Sequence, residues 1–410
     1  MENSLQLSLV NFKKDAYIIV EGKANAEHFF IIRSGKVRLS KEVDLVEEGE
    51  SNLLEPGDFF GVVSTMSSHS HIETAQALTD VSLIQVHRDQ YGILIERNAP
   101  VALKIIQGFS KRVRYLDEAL TKLTFKNTAE GDPDILFKVA EYYVRQSKYN
   151  QAFFSYYQYL RSNPQGRHSA EAQDRLAKIK PYSKTAYLEP PKDEFTRTYP
   201  KDTMIFAEGQ TGDELYILQK GQVKISKIVG DKEVLLAILK PGDIFGEMAL
   251  IDSKPRSASA DAYEDAVLLA VNRANFQRMV VSQPQIITRL TTLLAERIWF
   301  IYKQLANASL ENPVGRLYDA LLIQLEKNRV GIRPGLSYSF PFGTKDLLNM
   351  VGFSSTEGTT FIRELLKTPG LKLVEEKLTV ADVSEIEKQA KYFRKMDRLV
   401  KSRADSKSLR

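Results

Sequence analysis

Two stretches of this chain carry the same pattern of apolar and polar positions. Residues 12–91 and 199–276 are both built of short apolar or alternating runs broken by Gly, Pro and Asp, which predicts short strands in a small all-β barrel or jelly roll. In each, an EG step (Glu21–Gly22, Glu208–Gly209) precedes an apolar strand that ends in a turn glycine, HFFIIRSGKVRLS and ELYILQKGQVKIS. A PGD turn (Pro56–Asp58, Pro241–Asp243) and an FG step (Phe60–Gly61, Phe245–Gly246) follow, and an apolar strand closes each copy, VSLIQV and AVLLAV. The offset between the copies drifts by only a residue or two, so the set is an internal repeat.

After each copy the period turns helical. Apolar residues fall at Ile106, Phe109, Val113, Leu116, Leu120 and Leu123, at spacings of 3, 4, 3, 4 and 3, a strict a/d seam. After the second copy Ile287, Leu290, Leu294, Ile298, Ile301 and Leu305 form a similar, less regular stripe. Such a helix packs on its own barrel or pairs across a dimer. The strictness of the seam on otherwise charged helices predicts a homodimer through residues 102–123, 284–308, or both.

Between the copies, residues 133–166 place small and aromatic side chains at Ala140, Tyr143, Ala152 and Tyr156 and close on Pro164. Those spacings match one tetratricopeptide (TPR-like) unit, with AEAQDRLAKI as a capping helix. One unit cannot bury its own face, so it must pack on a barrel, a dimer mate or a protein partner. A plain spacer hairpin and a partner-docking surface both fit the pattern. Downstream of the second helix, Thr344 to Val351 reads as a helix, Gly352 as a turn, and Ser354-x-x-Glu357 as a capping box opening a second helix. LKLVEEKLTVADV then gives strand, turn, strand, and residues 310–387 together read as a winged helix-turn-helix.

Composition narrows the classes. With 410 residues, 43% hydrophobic and 27% charged, the chain has material for several buried cores. It has no cysteine, which excludes disulfides, thiolate metal sites and a cysteine nucleophile. No apolar run is long enough to span a bilayer, and the N-terminus MENSLQLSLVNFKKD lacks the basic start and apolar run of a signal peptide; a cytoplasmic protein is expected. The net charge of +5 is local: Lys388 to Arg410 holds nine Lys/Arg against Asp397 and Asp405, leaving the rest at −2. No catalytic constellation, metal set or nucleotide-triphosphate loop is evident, so an enzyme is not expected.

The second copy holds the chemistry. In FGEMALIDSKPRSASA, Phe245 to Ala260, a short helix after Gly246, through Glu247, Met248 and Ala249, would aim backbone N–H groups at an anion. Glu247 can accept a hydrogen bond from a ribose hydroxyl, Arg256 offers a planar fork to a phosphate, and Ser257 adds a donor. This run closely resembles the phosphate-binding cassette of cyclic-nucleotide-binding domains in the CRP/FNR type of transcription regulator, and the resemblance spans residues 195–387. It implies a cyclic nucleotide, cyclic AMP or cyclic GMP, as ligand, and it assigns those roles to Gly246, Glu247, Arg256 and Ser257. In relatives that respond to cyclic AMP the base is read from the long helix by hydroxyl residues. Ile301 and Tyr302 stand at the aligned positions, and only Tyr302 could stack on a purine or hydrogen-bond to it. A cyclic dinucleotide fits the cassette as well.

The first copy has lost this set. In FGVVSTMSSHSHIETA, Val62, His71 and Ile72 replace Glu247, Arg256 and Ser257, and a neutral imidazole is a weak phosphate partner. His69 and His71 would place two imidazoles on one side of a strand, as a metal or haem site does and as ordinary loop histidines also do. The reading head of the C-terminal module is unusual too. Ser354, Ser355, Thr356, Thr359, Thr360 and Arg363 are the residues placed to meet DNA, yet relatives often carry Arg, Glu and Arg where Ser355, Thr356 and Thr360 stand. Gly358 weakens the second helix by about 1 kcal/mol relative to alanine. Residues 310–387 hold nine basic and eleven acidic side chains, poor provision for phosphate contacts, which the basic tail would have to supply.

The expected fold is therefore α+β and multidomain: a degenerate cyclic-nucleotide-binding jelly roll with its long helix (1–125), a TPR-like helical insert (132–180), a linker (181–194), a second jelly roll with its long helix (195–309), a winged helix-turn-helix (310–387) and a basic tail (388–410). The expected function is a cyclic-nucleotide-responsive, DNA-binding transcription regulator. The alternative is a cyclic-nucleotide sensor that acts through protein contacts, at the insert or at a winged helix that no longer reads DNA.

Overall fold

The computed structural model describes residues 7–24, 26–41, 52–125, 132–184, 187–190, 194–230, 232–252 and 254–408. Parts of the expected linker, Pro191 among them, and the last two residues of the tail lie outside the described residues.

The repeat is real in three dimensions. The first copy contributes strands β1 (Ser8–Phe12), β2 (Tyr17–Ile19), β3 (His28–Ser34), β4 (Val37–Ser40), β5 (Leu53–Leu54) and β6 (Phe59–Phe60), helix α1 (Val62–Ser67), then β7 (Thr74–Ala77) and β8 (Val81–His87). These form two antiparallel sheets, ordered β1-β8-β3-β6 and β2-β7-β4-β5. Helices α2 (Tyr91–Arg97) and α3 (Ala99–Phe125) follow. The insert is three helices, α4 (Ile135–Arg145), α5 (Tyr149–Ser162) and α6 (Ser169–Ile179).

The second copy contributes β9 (Thr196–Tyr199), β10 (Met204–Phe206), β11 (Glu214–Lys220), β12 (Val223–Val229), β13 (Lys232–Leu239), β14 (Ile244–Phe245), α7 (Glu247–Asp252), β15 (Ser259–Ala262) and β16 (Ala266–Asn272). Its sheets run β9-β16-β11-β14 and β10-β15-β12-β13, the same order strand for strand. Even the register break recurs, between Ile32 and Ser34 in β3 and between Leu218 and Lys220 in β11. Then come α8 (Arg273–Ser282), α9 (Pro284–Ala308), α10 (Pro313–Lys327), β17 (Tyr338–Ser339), α11 (Thr344–Met350), α12 (Ser355–Leu365), β18 (Leu371–Val374), β19 (Lys377–Val380) and α13 (Val383–Ser408).

The chain divides into two compact units that do not follow the repeat boundary. One unit holds the first barrel (1–91), residues 115–126 and everything from Thr292 onward; the other holds residues 92–114 and 127–291, with the insert and the second barrel. Both long helices are thus shared out between the units, and their seams are covered within one chain. Ile106, Phe109, Val113 and Leu116 of α3 are buried, as are Ile287, Leu290, Leu294, Ile298, Ile301 and Leu305 of α9, while Leu123 stays exposed. In a single chain both stripes are therefore already covered over most of their length. An a/d seam states only that an apolar face is covered, and here the cover lies in cis.

The insert packs on the second barrel. Ala140, Tyr143, Ala152 and Tyr156 are all fully buried in a core that also takes in Met204 and Ala207 of the barrel. Tyr143 Oη donates to Glu233 (3.3 Å), and Lys148 Nζ pairs with the same carboxylate at 2.9 Å.

At the C-terminus, α10, α11, α12 and α13 enclose a core with the three-stranded antiparallel sheet β17-β19-β18. Asn312 caps α10 by accepting from Gly315 N at 2.8 Å, with Pro313 in the first turn, the placement that suits a residue lacking an N–H. The expected boundary at 387/388 falls inside a helix. Helix α13 runs through it, Ala390 is fully buried, Phe393 packs on Gly315, and Arg394 pairs with buried Asp319 at 2.5 Å. Charge density changes at Lys388, but the burial period of the helix does not.

Candidate functional site

The cassette of the second barrel is organised around Arg256. Its side chain is almost fully buried. The guanidinium donates through Nη2 to Glu214 O at 2.8 Å and through Nη1 to Gly246 O. It lies over the Phe206 ring at 4.3 Å from the centroid and the Tyr216 ring at 5.8 Å, so cation–π attraction adds to the two carbonyl bonds. Two glycines make this seat. A Cβ on Gly212 would stand 2.5 Å from Nη2, and one on Gly246, whose φ is +73°, would stand 2.7 Å from Nη1. Glu214, which lends its carbonyl, is itself fixed by a two-pronged pair with buried Arg197, at 2.7 and 2.8 Å. Two-pronged geometry of this kind orients as well as attracts.

Burial lowers the Arg256 pKa, and Tyr216, Glu247 and Glu214 act to raise it. Nε has no hydrogen-bond partner among the described residues. Desolvated arginine with an unused donor and only neutral carbonyls as direct partners is a receptor for an anion.

The other expected residues gather here. Gly246 leads directly into α7, which carries Glu247, Met248 and Ala249, all three buried. Ser257 is half-buried beside Arg256. Tyr302 belongs to the other compact unit. Its ring is buried and its hydroxyl donates to Glu21 Oε1 of the first barrel at 3.1 Å. The expectation followed chain order, in which α9 succeeds the second barrel; the C-terminal part of α9, however, belongs to the unit of the first.

The residues that sequence reasoning missed are Phe206, Gly212, Glu214 and Tyr216, the seat itself.

The first barrel has replaced the cassette with packing. Val62 and Ile72 are buried. His71 is buried with Nδ1 unpartnered among the described residues, and desolvation lowers its pKa. Gly61 N donates to Glu73 Oε1 at 3.0 Å. His69 stacks on Trp299 of α9, ring centroids 4.0 Å apart, and Trp299 Nε1 donates to Ser70 O at 3.2 Å. Among the described residues no group of His, Asp or Glu has the geometry to hold a metal ion.

In the C-terminal module Ser354, Thr356, Thr359, Thr360 and Arg363 are all exposed on or beside α12, and Ser355 begins that helix. Ser354 Oγ accepts from Glu357 N at 3.3 Å, and Glu357 Oε2 accepts from Ser354 N at 3.4 Å, closing the capping box. Gly358 has a reason beyond helix propensity: a Cβ there would meet Leu348 of α11 at 2.2 Å, so glycine lets the two helices approach. The end of α9 is tied to this module through Asn307 Nδ2, which donates to Arg316 O at 2.7 Å and Asp319 Oδ2 at 3.0 Å.

A cavity of about 310 Å³ lies apart from the cassette, lined by residues that include Lys148, Tyr149, Tyr182, Lys224, Asp261 and Tyr263. No helix among the described residues is long and apolar enough to cross a membrane.

Comparison with known proteins places both barrels. The cyclic nucleotide-binding domain model matches residues 9–98 and 196–283. The cyclic AMP receptor protein of Thermus thermophilus is 36% identical over 159 residues, 38% of this chain and 70% of its own length. The CRP-like cAMP-activated global transcriptional regulator of Mycobacterium tuberculosis is 28% identical over 196 residues, 47% of this chain and 87% of its own. Among solved structures, the catabolite activator protein of Thermus thermophilus matches at 30% identity over 48% of this chain and 90% of its own, with a TM-score of 0.29.

Proposed function

Because the chain belongs to the CRP/FNR family of cyclic-nucleotide-binding regulators, we propose that it is a cyclic-nucleotide-responsive, DNA-binding transcription regulator whose ligand occupies the second barrel alone. One observation carries the reading. Arg256 sits buried in a glycine-lined seat with an unused donor, and Glu247 and Ser257 stand beside it. At the equivalent places the first barrel has a neutral His71 and the apolar Val62 and Ile72.

In this reading Arg256 takes the cyclic phosphate, Glu247 accepts a ribose hydroxyl, and Ser257 with the first N–H groups of α7 completes the shell. The exocyclic oxygens of the phosphate offer the desolvated guanidinium a charged partner that its present carbonyls do not. The ligand can bias the chain only as far as it prefers one arrangement of α9 and the C-terminal module to another. Asn307 and Asp319 are the fastening through which α9 would turn that module, a winged helix-turn-helix presenting Ser354, Thr356, Thr359, Thr360 and Arg363 to DNA. The basic face of α13 would supply phosphate contacts. The chain senses and binds rather than catalyses; turnover of a cyclic nucleotide by the purified protein would overturn that.

Calorimetric titration with cyclic AMP, cyclic GMP and cyclic dinucleotides tests the site. One site per chain, absent in Arg256→Ala, is expected; no heat with any of them sinks the reading. Gel shifts at low salt, with and without the bound nucleotide, test the output. The near-neutral charge of residues 310–387 favours a second reading, a nucleotide sensor with a protein partner, and nucleotide binding with no DNA shift under any condition would select it.

A further inference from the structure

We propose that the cavity between the insert and the second barrel is a second ligand site, for a small molecule carrying a protonated amine or guanidine, with Asp261 as its anionic contact. This site is independent of the nucleotide reading: the cavity lies apart from the cassette and is lined by none of the cassette residues.

The cavity encloses about 310 Å³ and has two walls, one from the start of α5 with Lys148 and Tyr149, the other from β12 and β15 with Lys224 and Asp261. Both walls belong to one compact unit. Two carboxylates meet here, and they are treated oppositely. Glu233 accepts from Lys224 Nζ at 2.7 Å, Lys148 Nζ at 2.9 Å, Ser226 Oγ at 2.9 Å and Tyr143 Oη at 3.3 Å. Asp261 is fully buried, and neither of its oxygens has a hydrogen-bond partner among the described residues. Lys224 Nζ stops 3.6 Å from Oδ2, and the Gln151 amide, which also faces Asp261, donates instead to Asp202 O at 3.1 Å. A buried carboxylate that no donor satisfies is costly unless something arrives to satisfy it.

The first barrel shows what this position holds without the insert. Lys224 and Asp261 are cross-strand partners on β12 and β15, and the same register on β4 and β7 pairs Arg38 with Gln76. Asp202 and Asp15 correspond too: both stand at positive φ, and their N–H groups donate to Ala262 O and Ala77 O. In the first barrel Gln76 Nε2 donates to Asp15 O at 3.3 Å. In the second, Asn150 and Gln151 of the insert take that carbonyl, at 3.3 and 3.1 Å, which frees the residue at 261 from the task. A neutral or apolar side chain would then pack there at less cost, yet the chain carries a carboxylate. The ligand chemistry follows from what is missing. Lys148 and Lys224 are engaged by Glu233, so the unmet need is for N–H donors and positive charge beside Asp261, and an ammonium or guanidinium supplies both. Tyrosine faces suit the same group: Tyr149 and Tyr182 have ring centroids 5.6 Å apart, and Tyr182 and Tyr263 line the cavity from exposed positions.

Calorimetric titration of the full chain, without cyclic nucleotide, tests the site with putrescine and agmatine as bare amines and with lysine and arginine as amino acids. One site per chain, with Kd of about 1 mM or tighter for at least one of them, is expected. Tighter binding of the bare amines identifies a decarboxylated amine as the ligand, and tighter binding of lysine or arginine a free amino acid. Asp261→Asn keeps the shape of the side chain and should raise Kd at least about tenfold. Tyr182→Ala, at an exposed position, should raise it about two- to fivefold, and Arg256→Ala should bind as wild type does. The pH profile separates a contact from a structural role. Asp261 is faced by Lys224 from β12, Glu233 from β13, Lys148 and Gln151 from the start of α5 and Tyr143 from α4, and burial raises its pKa to about 6. Between about pH 7.5 and 5 the wild-type Kd should therefore rise about tenfold as the carboxylate is protonated, while that of Asp261→Asn stays flat. No heat from any of these amines, or a Kd that Asp261→Asn leaves within about twofold of wild type, overturns the site, and the nucleotide reading is judged separately by cyclic-nucleotide titration of Arg256→Ala.

Discussion

Replacing Gly212 by alanine asks whether Arg256 is seated or merely buried. The new Cβ would stand 2.5 Å from Nη2, 2.6 Å from Nε and 2.7 Å from Cζ of Arg256. The backbone at 212 lies outside the positive-φ region, so the substitution adds contact and no conformational strain of its own. The far end of an arginine usually yields cheaply, but this one is held by Gly246 O and Glu214 O and stacked on Phe206. Moving it breaks two hydrogen bonds to a cation, each worth about 1.5–3 kcal/mol, in a site too dry for water to replace them. Part of that loss is recovered as the side chain finds a new rest, so a destabilisation of about 2–4 kcal/mol is expected.

The decisive comparison is a double-mutant cycle. With Arg256→Ala already made, the Cβ added at position 212 enters the space the guanidinium has left, and its cost should fall below about 0.5 kcal/mol. Urea unfolding of the four proteins, without ligand and followed by circular dichroism, gives the coupling from the midpoints at constant slope. A coupling of about 2 kcal/mol or more is expected from the two lost bonds. Additivity within about 0.5 kcal/mol would refute the seat, since the glycine would then have nothing to do with the arginine. The Gly212→Ala protein should also bind the cyclic nucleotide at least about tenfold more weakly, because a displaced fork cannot present both donors to one phosphate.

Two further predictions concern residues away from the cassette. Asp261 is fully buried, neither carboxylate oxygen has a hydrogen-bond partner among the described residues, Lys224 Nζ is 3.6 Å away, and burial pushes its pKa up to about 6. A folded value above the unfolded one means that its stabilising contribution is complete below about pH 4 and is lost as pH rises through about 6. Asp261→Asn should therefore raise the melting temperature by several degrees at pH 7.5, on the order of 1–3 kcal/mol, and flatten its fall between about pH 4 and 6.5; an unchanged or lower value at that pH counts against the reasoning. Gly358→Ala should destabilise the C-terminal module by about 1–3 kcal/mol despite alanine's better helix propensity, because its Cβ meets Leu348 at 2.2 Å; a gain in melting temperature would show that α11 and α12 are free to separate.

What was legible in the sequence was local. Glu247 opens α7 and Arg256 and Ser257 follow soon after it in sequence, so the cassette could be read as a motif without knowing the fold. Strand order was legible because the repeat carries it twice. The partner of each helix was not legible. The stripes on α3 and α9 show that a face is covered, and apolar seams look alike whether the cover is a barrel, a dimer mate or the same chain. Gly358 was judged by helix propensity because its close neighbour Leu348 belongs to another helix. The basic tail was cut at Lys388 by charge, although Ile386, Ala390 and Phe393 continue one apolar face across the cut.

The arginine's seat shows where more could have been read. Phe206, Gly212, Glu214 and Tyr216 lie 40 to 50 residues before Arg256, beyond any motif window, yet the repeat supplied the comparison. The three atoms nearest a Cβ at Gly212 all belong to the Arg256 guanidinium, so that position is tied to the cation. In the first barrel His71 stands where the arginine stands in the second. Gly246 behaves differently. It stands at φ +73° and its counterpart Gly61 at φ +79°, so the turn needs glycine whether or not an arginine lies beneath it. A glycine kept in both copies thus reports the backbone.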